Sequence, residues 1–165
     1  MVRDAIGALV CAWKAAGEQK VALERHLVRI ARDQDFCCRL KAVSGVGAIT
    51  SLTFVTALDD PTQFRRSYDV RAYLGPKPKR YQSSEVDLAG CISEAGDRTA
   101  RSLLFEAANA LMTRVRKDCA LRSWDLSLAK PIGSRKARVA VARKLATILH
   151  CIWLDGTEFE AAPAH

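Results

Sequence analysis

No stretch of the chain approaches the roughly 20 consecutive apolar residues that crossing a bilayer requires. The start, Met1-Val2-Arg3-Asp4, lacks a signal peptide's uninterrupted apolar stretch and small-residue cleavage site. Both absences argue for a cytoplasmic protein without a membrane span. Glycine and proline are scarce, at 9 and 5 of 165 residues, which excludes a collagen-like or low-complexity chain. The six cysteines (Cys11, Cys37, Cys38, Cys91, Cys119, Cys151) form no C-x-x-C pair and have no nearby histidine at zinc-finger spacing. Neither a structural metal nor a disulfide framework is expected, and the thiols read as reduced and mostly core-filling. Acids are the other shortage: 18 Asp and Glu stand against 26 Lys and Arg, for a formal net charge of +8. That surplus favours a polyanionic partner, with nucleic acid first and an anionic membrane surface second.

What is present suffices for a core. Apolar residues make up 49% of the chain, enough at this length for one domain with an appendage. In the first 35 residues Ile6, Leu9, Trp13, Ala16, Lys20, Leu23, Leu27 and Ile30 alternate in steps of three and four, an a/d heptad seam broken only by Lys20. Charged residues such as Glu18, Arg25, Arg29 and Asp33 fill the positions between. The pattern predicts one long amphipathic helix over residues 1–36, with Gly17 marking a candidate bend. Either the helix pairs with another copy, making a homo-oligomer through residues 1–35, or it packs on its own domain.

The run from Leu40 to Thr50 holds Ser44-Gly45-Val46-Gly47 between two apolar helical segments, the pattern of a helix-hairpin-helix element. In such an element the glycines allow a tight turn and let backbone N–H groups at the second helix's N-terminus approach a DNA phosphate, which makes Gly45, Val46 and Gly47 candidate DNA contacts. A plain turn between two core helices fits the same residues. Asp60-Pro61 opens a new segment. Residues 62–80 follow, in which Arg65, Arg66, Arg71, Lys77, Lys79 and Arg80 face one acid, Asp69, with Tyr68 and Tyr73 interleaved. Residues 75–96 read as irregular, with a short hairpin near 80–92. Asp97 is placed to N-cap a helix running to about Lys117. A further helix covers Leu121 to Ala129 and is ended by Pro131. Gly133-Ser134 opens a last helix that Gly156 stops. Between Arg114 and Lys144 ten basic residues meet two acids, Asp118 and Asp125, a second cationic region. The fold class is all-α, mainly helical, with residues 1–36 as a connector helix, 37–160 as the principal domain and 161–165 as a tail.

Seven segments in order carry a resemblance: Ser44-Gly45-Val46-Gly47; Asp60-Pro61-Thr62-Gln63-Phe64; Ala72-Tyr73-Leu74-Gly75; Arg80-Tyr81-Gln82-Ser83; Gly90-Cys91-Ile92-Ser93-Glu94-Ala95-Gly96-Asp97; the stretch Lys136 to Ala146; and Trp153-Leu154-Asp155-Gly156-Thr157-Glu158-Phe159. Over residues 37–160 the chain resembles the C-terminal domain of the DEDD-type insertion-sequence transposases, the family numbered one hundred and ten. The helix before it resembles that family's coiled-coil connector. The resemblance implies a site-specific DNA recombinase of a mobile element, guided by a structured RNA. It also implies an N-terminal RNase H-like domain whose four acids hold divalent metal, expected to be magnesium, and a C-terminal domain that supplies a serine nucleophile.

Ser93 stands at the position of that serine. The helix after it, with Arg98 and Arg101 one turn apart, is placed to stabilise charge on a phosphorus under attack. Lys136 and Arg143, from the second cationic region, complete the candidate DNA contacts with Arg65, Arg66 and Arg80. Two positions depart from the family pattern: Glu94 replaces a usually basic residue, and Cys91 one that is often Arg. Asp4, Glu18, Asp33 and Asp35 lie on the connector and do not resemble the four-carboxylate site, so no cofactor is expected in this chain, and it reads as a truncated copy or an isolated domain. Two rivals stand beside this reading. One is an inactive remnant that only binds nucleic acid; the other is a helix-hairpin-helix repair or architectural protein unrelated to transposition.

Overall fold

The computed structural model describes the backbone of residues 2–74, 77–83, 86–93, 97–114 and 120–159, and the side chains of these residues outside 77–93. The chain is mainly α-helical. Helix α1 spans Val2–Asp33, α2 Asp35–Lys41, α3 Ala48–Leu58, and α4 Ser67–Leu74, with a single 3-10 turn at Pro61–Gln63 between α3 and α4. Two antiparallel strands follow, β1 at Lys77–Ser83 and β2 at Val86–Ser93, paired Arg80 to Ala89 and Lys77 to Ser93. Their register shifts between Pro78 and Arg80, next to a proline that has no N–H to give to the ladder. Helices α5 (Arg98–Thr113), α6 (Ala120–Ile132) and α7 (Ser134–Asp155) complete the fold.

The core forms around α7. Its Ala137, Val141, Ala142, Leu145, Ala146, Leu149 and Ile152 are all buried, a stripe wide enough to be covered by several partners at once. Helices α2, α4, α5 and α6 all pack against it. Phe54 and Leu58 of α3, Val70 and Leu74 of α4, and Leu104 and Leu111 of α5 join the same cluster. Helix boundaries follow local chemistry. Asp97 caps α5, its Oδ1 accepting from the Ala100 N–H at 2.8 Å. Gly133, at φ +83, separates α6 from α7, and Gly156 ends α7 in the left-handed conformation at φ +66. Helix α6 departs from the sequence expectation: it continues through Pro131 to Ile132 rather than stopping at Ala129. In the last turn a proline forfeits only one hydrogen bond, and the Gly133 N–H still bonds Ala129 O at 3.0 Å. Residues 115–119, over which α5 was expected to continue, lie outside the described ones.

Helix α1 runs unbroken through Gly17 for 32 residues, and Ala31 is its one buried residue among those described. The expected seam is bare. Leu9 is 70% exposed, Trp13 77% and Leu23 64%. Lys20, the break in that seam, pairs with Glu24 one turn on at 3.6 Å.

Two contacts fix the segments that carry the candidate site. Gly45, at φ +89, lies so close to α5 that a Cβ there would sit 2.5 Å from Ala107 O. A side chain is excluded twice over, by the backbone conformation and by the neighbouring helix. His150, fully buried on α7, grips the ends of the 61–67 segment: Nε2–H donates to Pro61 O at 2.8 Å, and Nδ1 accepts from Ser67 Oγ at 2.9 Å. The Cys151 thiol donates to the same Ser67 oxygen at 3.1 Å, and Phe64 meets the imidazole edge-on at 5.9 Å. Gly45→Ala should therefore destabilise the fold by roughly 2–4 kcal/mol, the sum of left-handed strain and overpacking. Gly47→Ala, with open space around it, should cost no more than about 1 kcal/mol as a weaker cap. Urea unfolding of the two variants checks this, and equal losses would mean that Gly45 does not pack as closely as described.

Candidate nucleic-acid interface

The turn between α2 and α3 holds Gly45, Val46 and Gly47, and the structure gives the three different surroundings. Gly45 faces α5. Val46 is buried, and its N–H bonds Val43 O at 3.0 Å. Gly47 is exposed and precedes α3 without a side-chain cap, so the outward donors are those of the helix's first turn, as at any helix start. From Gly47 onward the backbone N–H groups are presented as at a helix N-terminus, where a phosphate can be met.

Arg65 and Arg66 are exposed on the short link between Pro61–Gln63 and α4. Their neighbour Phe64 packs on His150 and Tyr73, which keeps the link in place while its two cations face solvent. At its start Asp60 accepts from the Thr62 hydroxyl and N–H, and these hydrogen bonds hold its carboxyl below the usual carboxylate range. On α4, Arg71 lies over the Tyr68 ring, 4.6 Å from its centroid. Arg80 is on β1 and Ser93 closes β2; the side chains of both lie outside the described residues.

Arg98, Arg101 and Arg143 come together. Arg98, Arg101 and Phe105 share one face of α5, at spacings of three and four, and Ala142, Arg143 and Ala146 share the matching face of α7. Between the two faces lies a groove of about 330 Å³, floored by Leu74 and Leu104. Val139, Ala142, Arg143 and Ala146 line its α7 side, opposite Phe105. Its entrance is cationic and its floor apolar. Lys136 is exposed on the first turn of α7, apart from the residues that line the groove. Lys144, the next residue after Arg143, turns instead to the Trp124 ring at 4.8 Å.

Other acids are placed differently. Asp125 is buried on α6, where burial pushes its carboxyl up while the Arg138 charge pulls it down, and its Oδ1 has no hydrogen-bond partner. Among the described residues no three His, Cys, Asp or Glu side chains gather as metal ligands do, so the described donors do not fit a divalent ion.

Sequence reasoning missed the His150–Ser67–Cys151 network and the part played by Phe105, Ala142 and Ala146. The helical spacing of each groove face is legible along the chain. That the two faces oppose one another is a tertiary fact.

Residues 37–123 match the family model of the Transposase IS116/IS110/IS902 family. The chain is 32% identical over 127 residues to the transposase for insertion sequence element IS1111A of Coxiella burnetii, covering 76% of this chain and 35% of that protein. It is 30% identical over 143 residues to the transposase for insertion sequence element IS1328 of Yersinia enterocolitica, covering 86% of this chain and 43% of that protein. A putative transposase of Sinorhizobium fredii, y4pF/y4sB, is 28% identical over 142 residues, covering 85% and 37%. The chain thus spans less than half the length of each of these relatives. With a family match over more than half of its residues, the chain belongs to the IS116/IS110/IS902 transposase family.

Proposed function

We propose that this chain is the nucleic-acid-gripping part of a transposase, that it presents Ser93 as the nucleophile for DNA strand cleavage, and that a structured guide RNA is its second nucleic-acid partner. The observation that carries the reading is the convergence of Arg98 and Arg101, on the helix that starts five residues after Ser93, with Arg143 of α7 at one groove. Five residues of chain reach at most about 18 Å. In the proposed step the Ser93 Oγ–phosphorus bond forms as the bond from phosphorus to one sugar oxygen breaks. The protein is left joined to one DNA end, and the departing oxygen takes up a proton as a free hydroxyl. Three guanidiniums suit the charge that builds on the phosphoryl oxygens. The divalent metal belongs, in this reading, to a four-carboxylate domain outside this chain.

Residues 1–35 are proposed as the oligomer contact, because a seam so exposed finds no cover in the described body of its own chain. A chain that binds nucleic acid without cutting it, a remnant competing for sites, is the second reading. It is favoured by the absence of a metal-donor cluster among the described residues.

Binding to duplex DNA should weaken steeply with salt, and Arg65→Ala with Arg66→Ala should reduce the log–log slope by about 1 to 2. Titrations from low to moderate salt measure this, and affinity indifferent to salt removes the nucleic-acid reading altogether. Leu23→Asp should turn an oligomer into a monomer without melting the helical body, because a charge placed in a dry seam finds no partner. Sedimentation velocity reports it, and a monomeric parent protein would end the oligomer proposal. With a matching N-terminal domain and guide RNA supplied in trans, cleavage should leave protein covalently on a DNA end. Ser93→Ala should abolish that adduct while DNA affinity stays within about twofold, since arginines rather than a hydroxyl dominate a phosphate grip. An adduct that persists in Ser93→Ala moves the nucleophile to another residue.

A further inference from the structure

A phosphate alone accounts for only part of the α5–α7 groove. Among the described residues its polar groups are the three arginines and Ser102, and the rest of that lining is apolar, from Leu74 and Leu104 on the floor to Phe105 on one wall and Val139, Ala142 and Ala146 on the other. A volume of about 330 Å³ sits at the small end of the roughly 300–1,000 Å³ that ligand sites occupy. Such a site asks for an occupant with an anionic end and a flat apolar body. The chain's net charge of +8 points to nucleic acid as its source. A nucleotide within a duplex offers its phosphate outward but keeps its base stacked and out of reach. An unpaired nucleotide offers both, and an aromatic side chain with nearby guanidiniums is the usual platform for an unstacked base.

We infer that the groove is a pocket for one unpaired DNA nucleotide, with the base among Phe105, Ala142 and Ala146 and its phosphate at Arg98 and Arg143. The inference rests on the reading of this chain as a DNA-handling domain and adds the substrate class that its cationic groove takes. DNA is favoured over RNA because the reading on which this inference rests has Ser93 attack a DNA strand; among the described residues of the groove, Ser102 is the uncharged polar side chain. Proximity in sequence to Ser93 puts the pocket within reach of a strand opened for attack. The nucleotide held there is one beside the scissile phosphate.

The test uses this chain with four fluorescent probes: a ten-nucleotide single-stranded DNA, the same strand with abasic sites throughout, the matching RNA strand, and the DNA duplex. The base-bearing DNA strand should bind about tenfold more tightly than the abasic one, the size expected for one stacked base. Phe105→Ala should erase that preference. Ser102→Trp, an exposed position whose new ring would close the entrance, should do the same without opening a cavity, and circular dichroism verifies that both variants fold. Arg98→Ala should weaken base-bearing and abasic strands alike. Equal affinity for base-bearing and abasic strands, or a preference that survives both Phe105→Ala and Ser102→Trp in folded protein, overturns the pocket. Tighter binding of the RNA strand that either variant abolishes overturns the assignment to DNA. These failures stay distinct from failure of the underlying reading, in which the duplex would also go unbound at low salt.

Discussion

The burial of α7 is the constraint on which the rest of the molecule depends. A 22-residue helix with an apolar stripe this broad cannot be covered by a single neighbour, so α2, α4, α5 and α6 take positions around it, and the polar surface is whatever those positions leave outside. The same helix carries His150 toward the 61–67 segment and Arg143 toward α5. Its buried and partly exposed faces thereby set where two sets of cations stand. Loss of packing along α7 would scatter the proposed interface before it touched any one contact.

Those cations are held by different means. Arg65 and Arg66 ride on a link pinned by three groups beneath it, the imidazole, the serine hydroxyl and the Phe64 ring. Arg98 and Arg101 are on the first turn of a helix started by the Asp97 carboxylate, whose own negative charge is spent on the Ala100 N–H. A cap of that kind fixes the helix start at the cost of placing an acid beside a cationic groove. The helix's positive end and three guanidiniums outweigh it.

Much of this was legible in the residues. The three-and-four spacing from Ile6 to Ile30 can only be satisfied by a helix, and α1 spans it. Asp97 and Gly156 mark helix ends because their chemistry acts locally, on the next few N–H groups or on a single φ. Pro131 misled because a proline need not end a helix at the residue before it: at the very end of α6 its missing N–H costs one bond and the helix runs one residue further. The turn glycines were read from the sequence with two alternatives, a DNA contact and a plain turn between core helices. What no local rule could tell is that the missing side chain of Gly45 admits the α5 backbone, a partner more than sixty residues away along the chain. The groove and the histidine network were hidden for the same reason, since each joins segments that no spacing rule connects. Ser93 came from resemblance to a family pattern, not from any property of the residue itself.

Helix α1 is also a measuring rod. At 1.5 Å per residue its 32 residues make a rigid length of about 48 Å, almost all of it clear of the body. Anything joined ahead of it is held at that distance and at a fixed rotational phase. Each residue inserted or removed would change the length by about 1.5 Å but turn the far end by about 100°. For anything at its far end that has to be oriented against the body, phase is the stricter requirement. Insertions of seven residues, which nearly complete two turns, would be tolerated far better than insertions of two.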